Sequence, residues 1–321
     1  MSPLTSEVKD ARSPVARWLR STFPHHHDMQ ADYRAAVGPV RVVPSPAVSL
    51  GTQGAAVDWW LRFLIDPAPS VSLAAAGLRT RWAPCRRAGL ELLHVLGAVD
   101  ETGRAGPVSP ARFADRPGEW WARVSYALAL LVELHRTPAV QGSRLMRLDQ
   151  DSRSADLLAL ANADEVADLI AMRDLAIEEL LPKLPTGPVA TGSTFDGSAD
   201  LNADADLIVD GVLVDFKSSQ GRTRSDGSRA AGLTRAEIDQ LLGYVLLDYS
   251  DDFALHSVAI YAARYGHFMA WSLVDLCAEL AGHPVDLAAL RKEFAQLVQV
   301  ELPAYRATSM MQRLRRKLSE S

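Results

Sequence analysis

Cysteine is nearly missing from this chain. Its two cysteines, Cys85 and Cys277, lie far apart and neither has a second cysteine at metal-ligand spacing, which removes a structural zinc site and a cysteine-held iron–sulfur cluster. No run approaches the ~20 apolar residues of a membrane span. The opening MSPLTSEVKDARSP also lacks the apolar core of a secretion signal, so a cytoplasmic location is expected. A G-x-x-x-x-G-K-[ST] sequence is absent, which excludes a phosphate loop of that type and a nucleotide-driven motor within the chain. Positive charge is not in excess either. With 34 Lys and Arg against 39 Asp and Glu, the net charge is −5, which argues against a generally basic coat for nucleic acid and leaves that task to local clusters.

What is present suits a sizeable core: 321 residues, 48% hydrophobic and 23% charged, enough for one large domain or two ordinary ones. Residues 1–46 are rich in Pro, Ser, Arg and His and read as an extended N-terminal arm with one short helix at PVARWLRSTF. His25-His26-His27 within it reads as an exposed polar turn rather than a metal site, because consecutive side chains in extended backbone point different ways. Residues 47–185 form a helical region, in which AAVDWWLRFLI, RAGLELLHVLGAV, EWWARVSYALALLVELH and DEVADLIAMRDLAIEELL return apolar residues every three or four positions. The pairs Trp59-Trp60 and Trp120-Trp121 fall on those helices as core residues. After Pro185 the period switches to strands: PVATGSTF, a hairpin, a helix, then HSVAIYAARYG and HFMAWSLVDL, closed by the amphipathic DLAALRKEFAQLVQV. The expected class is mixed α/β, with a helix-flanked mixed sheet over 186–321.

The hairpin carries the chemistry. In DADLIVDGVLVDFK the pair Asp210-Gly211 separates two β-branched runs, a strong signal for a two-residue type I′ turn. Pairing Val209 with Val212 sets Ile208 opposite Leu213, Leu207 opposite Val214, Asp206 opposite Asp215, Ala205 opposite Phe216 and Asp204 opposite Lys217. One face then collects Ala205, Leu207, Val209, Val212, Val214 and Phe216. The other collects Asp204, Asp206, Ile208, Leu213, Asp215 and Lys217. Two carboxylates opposite one another, at about 5 Å between Cβ atoms, destabilise a sheet unless something offsets the repulsion. A hard divalent cation held by both would do so, with Lys217 beside it to stabilise charge on a phosphate or orient water. The plainer alternative is a solvated acidic face with a Lys217–Asp204 surface ion pair worth at most about 1 kcal/mol. A calcium loop over Asp196–Asp206 is not supported: counted from Asp200, the sixth and twelfth positions hold Ala205 and Gly211 instead of Gly and Glu.

Asp206 followed by Asp215-Phe216-Lys217 resembles the D…(D/E)-x-K signature of the PD-(D/E)xK nuclease superfamily. Downstream, Gln240-Leu-Leu-Gly-Tyr244 is similar to the Q-x-x-x-Y motif of its RecB-like branch, and residues four apart share a helical face. The resemblance covers about residues 186–270. It implies a restriction-endonuclease-like mixed sheet and a Mg²⁺- or Mn²⁺-dependent DNA nuclease, with Asp206 and Asp215 as metal ligands, Lys217 as the electrostatic or water-positioning group, and Gln240 and Tyr244 shaping the site or contacting DNA. Arg222, Arg224, Arg229 and Arg235 lie where they would neutralise DNA phosphates. The family adds an acid or histidine from an upstream helix. Gly54-Ala-Ala-Val-Asp58 is similar to its G-x-x-x-H element with Asp in place of His, while Glu178 and Glu179 precede the first strand, and the sequence leaves the three open. Lacking a motor, such a nuclease acts alone or with a separate helicase or other protein. The competing function is a non-catalytic scaffold that keeps the fold to bind DNA or a partner. Two further basic clusters, Arg79, Arg81, Arg86 and Arg87 around Trp82 and Arg313, Arg315, Arg316 and Lys317 in the tail, read as solvated or partner-facing.

Overall fold

The computed structural model describes residues 3–79, 85–99, 104–136, 142–308 and 311. Arg81, Trp82 and the basic tail lie outside them. The first segment differs from the extended arm expected for 1–46. It holds three helices, α1 (Pro3–Lys9), α2 (Pro14–Thr22) and α3 (His27–Ala36). Ser13 caps α2, accepting from the Val15 N–H with Pro14 in the first turn. Leu4, Val8, Leu19, Phe23, Met29 and Tyr33 are all buried against the sheet. The second of them is the short helix expected at PVARWLRSTF, whereas α1 and α3 gain their stability from tertiary packing rather than from local propensity, so a local reading of the sequence passes over those two.

The helical region contains α4 (Leu50–Ile65), α5 (Ser72–Gly77), α6 (Arg86–Val95), α7 (Gly118–Arg136), α8 (Ser154–Leu158) and α9 (Ala163–Glu179). Asn162 and Glu165 close a reciprocal capping box at the start of α9. Trp59 and Trp60 are buried in this region's core, and Trp120 and Trp121 pack against it half-buried, as the helical spacing predicts.

The strands follow: β1 (Val189–Thr194), β2 (Asp204–Val209), β3 (Val212–Lys217), and the short ribbon β4 (Arg222–Thr223) and β5 (Arg229–Ala230). Next come α10 (Arg235–Leu247), β6 (Ser257–Ala262), β7 (His267–Ser272), α11 (Leu273–Ala281) and α12 (Leu287–Gln296). Five strands form one sheet in the order β1-β2-β3-β6-β7. The β3–β6 pair is parallel and the others antiparallel, with α10 making the crossover that a parallel pair requires. Mixed α/β is therefore the observed class.

Both faces of this sheet are covered. Leu207, Val209, Val212, Val214, Ala259 and Tyr261 pack against α4 to α9. On the opposite face Ile208, Leu213, Val258 and Ile260 pack with α1 to α3 and α10 to α12. The sequence expectation of one apolar and one acidic hairpin face is thus corrected near the turn, where Ile208 and Leu213 are core residues. Ala205 likewise belongs to the second cluster, not to the first. The cause lies outside the hairpin, since a parallel neighbour and its crossover helix bury both sides of a central strand.

Candidate active site

Asp210-Gly211 forms the expected turn, with φ of 47° and 73°. The expected register holds for Val209–Val212, Ile208–Leu213 and Leu207–Val214. There the ladder stops. In place of an Asp206–Asp215 cross-strand pair, the Asp206 carboxylate fills the opening between β2 and β3, and its Oδ2 accepts the Phe216 N–H at 2.8 Å. The Ala205–Phe216 and Asp204–Lys217 pairs are not part of the ladder either. Asp204 pairs instead with Arg136 of α7 at 3.0 Å, which replaces the expected Lys217–Asp204 contact.

Asp215 and Lys217 lie toward α10, near enough to Asp206 for the two carboxylates to feel each other's charge. The two motifs read from the sequence meet here. Lys217 Nζ lies 2.5 Å from Asp215 Oδ2 and donates to Gln240 Oε1 at 3.3 Å, while Gln240 Nε2 donates to the Tyr244 hydroxyl at 2.5 Å. Thr234 and Glu237 start α10 with a capping box, and that start places Gln240 and Tyr244 one turn apart on the face toward β3. Asp215 Oδ2 is buried with the Lys217 ammonium as its close ion-pair partner and no second donor.

Of the three upstream acids, Asp58 is the one at the site. Its carboxylate is held by both Arg62 Nε and Nη2, at 2.9 and 2.7 Å, and Arg62 is buried. Gly192 of β1 makes this arrangement possible. Its φ is +59°, and a Cβ there would sit 2.0 Å from Arg62 Nη1. Glu178 and Glu179 are tied to Arg41 at 2.8 and 2.6 Å, with Lys183 also on Glu179, and they are not among the leading charges felt by Asp206 or Asp215.

Burial, then the charges of Asp58 and Asp215, push the Asp206 carboxyl well above the usual range, against the opposing pull of Arg62 and the Phe216 N–H. Burial also raises Asp215, with Glu237 and Asp58 adding to it and Lys217 opposing. Lys217 stays protonated because Asp215, Glu237 and Asp206 outweigh its desolvation. Four carboxyls, Asp58, Asp204, Asp206 and Asp215, face the three cations Arg62, Arg136 and Lys217, so with all four ionised the acids outnumber the cations by one, and Glu237 adds to them.

A cleft of about 570 Å³ opens beside Lys217, bordered by Leu50, Gly54, Ser218, Gly221 and Arg229. Gly54 lets α4 approach, since a Cβ there would lie 2.8 Å from Ser218 Oγ. The floor of the cleft is fixed by a buried residue that sequence reasoning missed. Arg264 Nε donates to the Ser218 carbonyl at 2.8 Å, and its two Nη groups clasp Asp168 of α9 at 2.7 and 2.9 Å. Gln53 of α4 joins Asp168 at 2.9 Å.

The four expected phosphate-binding arginines divide. Arg222 and Arg224 are exposed on the β4–β5 ribbon and Arg229 borders the cleft. Arg235 is committed inside the fold, to Asp239 at 2.7 Å, the Leu19 carbonyl at 3.0 Å and His26 Nδ1 at 3.1 Å. Arg62, also missed, had a visible signal: a charged pair at i, i+4 within the otherwise apolar AAVDWWLRFLI points to an ion pair on a buried helix.

Set against family models, curated proteins and solved structures, the chain matches none. Its chemistry therefore rests on the geometry above. Among the described residues no three His, Cys, Asp or Glu side chains form a ready metal-binding group, and no helix is long and apolar enough to cross a membrane.

Proposed function

We propose that this chain is a divalent-metal-dependent DNA nuclease of the PD-(D/E)xK type, RecB-like, on a restriction-endonuclease-like sheet. The observation that carries the reading is the convergence of Asp206, Asp215, Lys217, Gln240 and Tyr244 where β2 and β3 part, beside an open cleft. Asp206 and Asp215 would hold Mg²⁺ or Mn²⁺. The fit is that of a two-carboxylate site completed by waters and a substrate phosphate, favoured by the surplus of acids over cations and by an Asp215 Oδ2 with no donor besides Lys217. The ion would supply charge neutralisation at the scissile phosphate and a more acidic water.

The remaining work falls to the protein. Lys217, kept charged by its neighbours and steered by Gln240, presents its ammonium to the charge that develops on the phosphate. Tyr244 holds Gln240, so it acts on the reaction through position. The Arg264–Asp168 clasp keeps Ser218, and hence the end of β3, in place.

One observation favours the scaffold reading: Arg62 already neutralises Asp58 within the acidic cluster, as an internal cation would in a site without metal. The two readings separate on cleavage of labelled linear single-stranded, linear double-stranded and closed circular DNA with Mg²⁺, Mn²⁺ or EDTA. A nuclease cuts with metal and loses cutting in Lys217→Ala. A scaffold binds DNA in a salt-sensitive, chelator-insensitive way and cuts none of the three.

A further inference from the structure

We infer that the β4–β5 ribbon divides the nucleic-acid path in two, and that the cleft behind it, lined by Arg34, Arg222 and Arg224, holds phosphates of a single DNA strand whose scissile phosphate lies at Lys217. This rests on the nuclease reading for the position of the scissile phosphate and adds to it the strand state of the substrate.

The ribbon register does the sorting. Arg222 pairs with Ala230 and Thr223 with Arg229, and side chains alternate along a strand. Arg222, Arg224 and Ala230 accordingly border a second cleft of about 490 Å³, whereas Arg229 borders the first with Lys217. Ser219 and Gly221 line both, so the two clefts share a floor. Gly221 is required at the hinge, because its φ is +71° and a Cβ would lie 2.1 Å from the Ala230 carbonyl oxygen. From the far side α3 contributes Arg34, a residue with no sequence signal of its own.

Four arginines border this concavity, and Arg235 among them is spent on Asp239, His26 and the Leu19 carbonyl, which leaves three whose like charges repel each other. Arg34, Arg222 and Arg224 enter no close ion pair or side-chain hydrogen bond among the described residues, while Arg224 acts on Asp226 of the ribbon turn through its charge. The one carboxylate lining the cleft, Glu237, is occupied by the Thr234 N–H at 2.7 Å and hydroxyl at 2.8 Å. The guanidinium groups are thus left for an anionic ligand, and planar forked donors suit phosphate. Among the described residues no aromatic side chain lines the cleft, so binding draws on phosphate contacts rather than on base stacking. The volume falls in the small-ligand range of roughly 300–1,000 Å³, which encloses a short stretch of one strand, whereas a duplex could only lie across the mouth.

The test is binding of fluorescein-labelled oligodeoxythymidylate in EDTA, followed by anisotropy as salt rises from about 50 to about 200 mM. Single-strand phosphate contacts each contribute about 0.7 to the slope of log K against log salt, so the triple variant Arg34→Ala/Arg222→Ala/Arg224→Ala should lower the slope by about 2. Over that range the wild type should then lose roughly 20-fold more affinity than the variant. The double variant Arg222→Ala/Arg224→Ala, confined to the exposed ribbon, should give about two-thirds of the change. A blunt duplex probe should show little difference between the proteins. An unchanged single-strand slope overturns the phosphate site, and an equal loss on duplex overturns the single-strand assignment. Because EDTA removes cleavage from the experiment, the two readings fail separately: a lowered slope without Mg²⁺-dependent cutting would retain the cleft and sink the nuclease, and cutting with an unchanged slope would do the reverse.

Discussion

Replacing Asp206 with Asn should make the protein more stable in EDTA while removing its activity. Asn keeps an acceptor for the Phe216 N–H and takes away one of four carboxylates that face only three cations. A like-charge contact of this kind costs up to about 1 kcal/mol, which for a chain of this size moves the melting temperature up by about 2 °C. The pH dependence gives the sharper signature. The folded-state pKa of Asp206 lies well above its unfolded value of ~3.9, so between those two values the folded protein binds more protons than the unfolded chain. Stability therefore declines as pH rises through that window and levels off above the folded pKa. Asp206→Asn should flatten that decline, with Asp215, raised in the same direction, supplying what remains. Melting curves in EDTA at a series of pH values check this, and Mg²⁺ should raise the wild-type midpoint more than the variant's, as an ion bound to the native state does. A variant less stable than wild type by 1 kcal/mol or more, or one with an unchanged pH profile, would refute the picture of a strained acidic cluster.

Other outcomes follow from the same geometry. Gln240→Leu removes the acceptor that steers Lys217, a hydrogen bond to a charged group worth about 1.5–3 kcal/mol, so kcat should fall by at least about 10-fold with KM little changed in steady-state cleavage. Arg264→Met leaves Asp168 buried without its bidentate partner, and chemical denaturation should show a loss of about 3–5 kcal/mol. Gly192→Ala forces a side chain into left-handed backbone and onto Arg62, so thermal unfolding should register a loss of at least about 1–3 kcal/mol. Arg235→Ala should lower stability by leaving the buried Asp239 without its partner while leaving the salt slope of DNA binding unchanged, because its guanidinium is spent inside the fold.

How much was legible in the sequence depends on the range of the interactions involved. The Asp210-Gly211 turn and the three ladder pairs beside it are local, and turn chemistry with alternation fixes them. The same holds for α10, whose Thr234–Glu237 box sits three residues apart and orients Gln240 and Tyr244. Beyond Leu207–Val214, the register read by counting fails because the Asp206 carboxylate, not the Ala205 carbonyl, takes the Phe216 N–H, a substitution that alternation does not encode. The helices at Pro3–Lys9 and His27–Ala36 are too short to announce themselves and exist through burial of Leu4, Val8, Met29 and Tyr33 on distant elements. Arg34, Arg136 and Arg264 reach the clefts or their floor across long stretches of chain, and only the folded arrangement brings them there.

The central claim is that the acidic pair and Lys217 form a metal-dependent phosphodiesterase centre. Its most direct test is cleavage of end-labelled linear single-stranded DNA in Mg²⁺ by wild type and Asp215→Asn side by side, both first shown to be folded. Cutting by the wild type that EDTA abolishes and that Asp215→Asn lowers by at least about 100-fold is the expected result. Equal cutting by the two proteins, or none by the wild type in either Mg²⁺ or Mn²⁺, would contradict it.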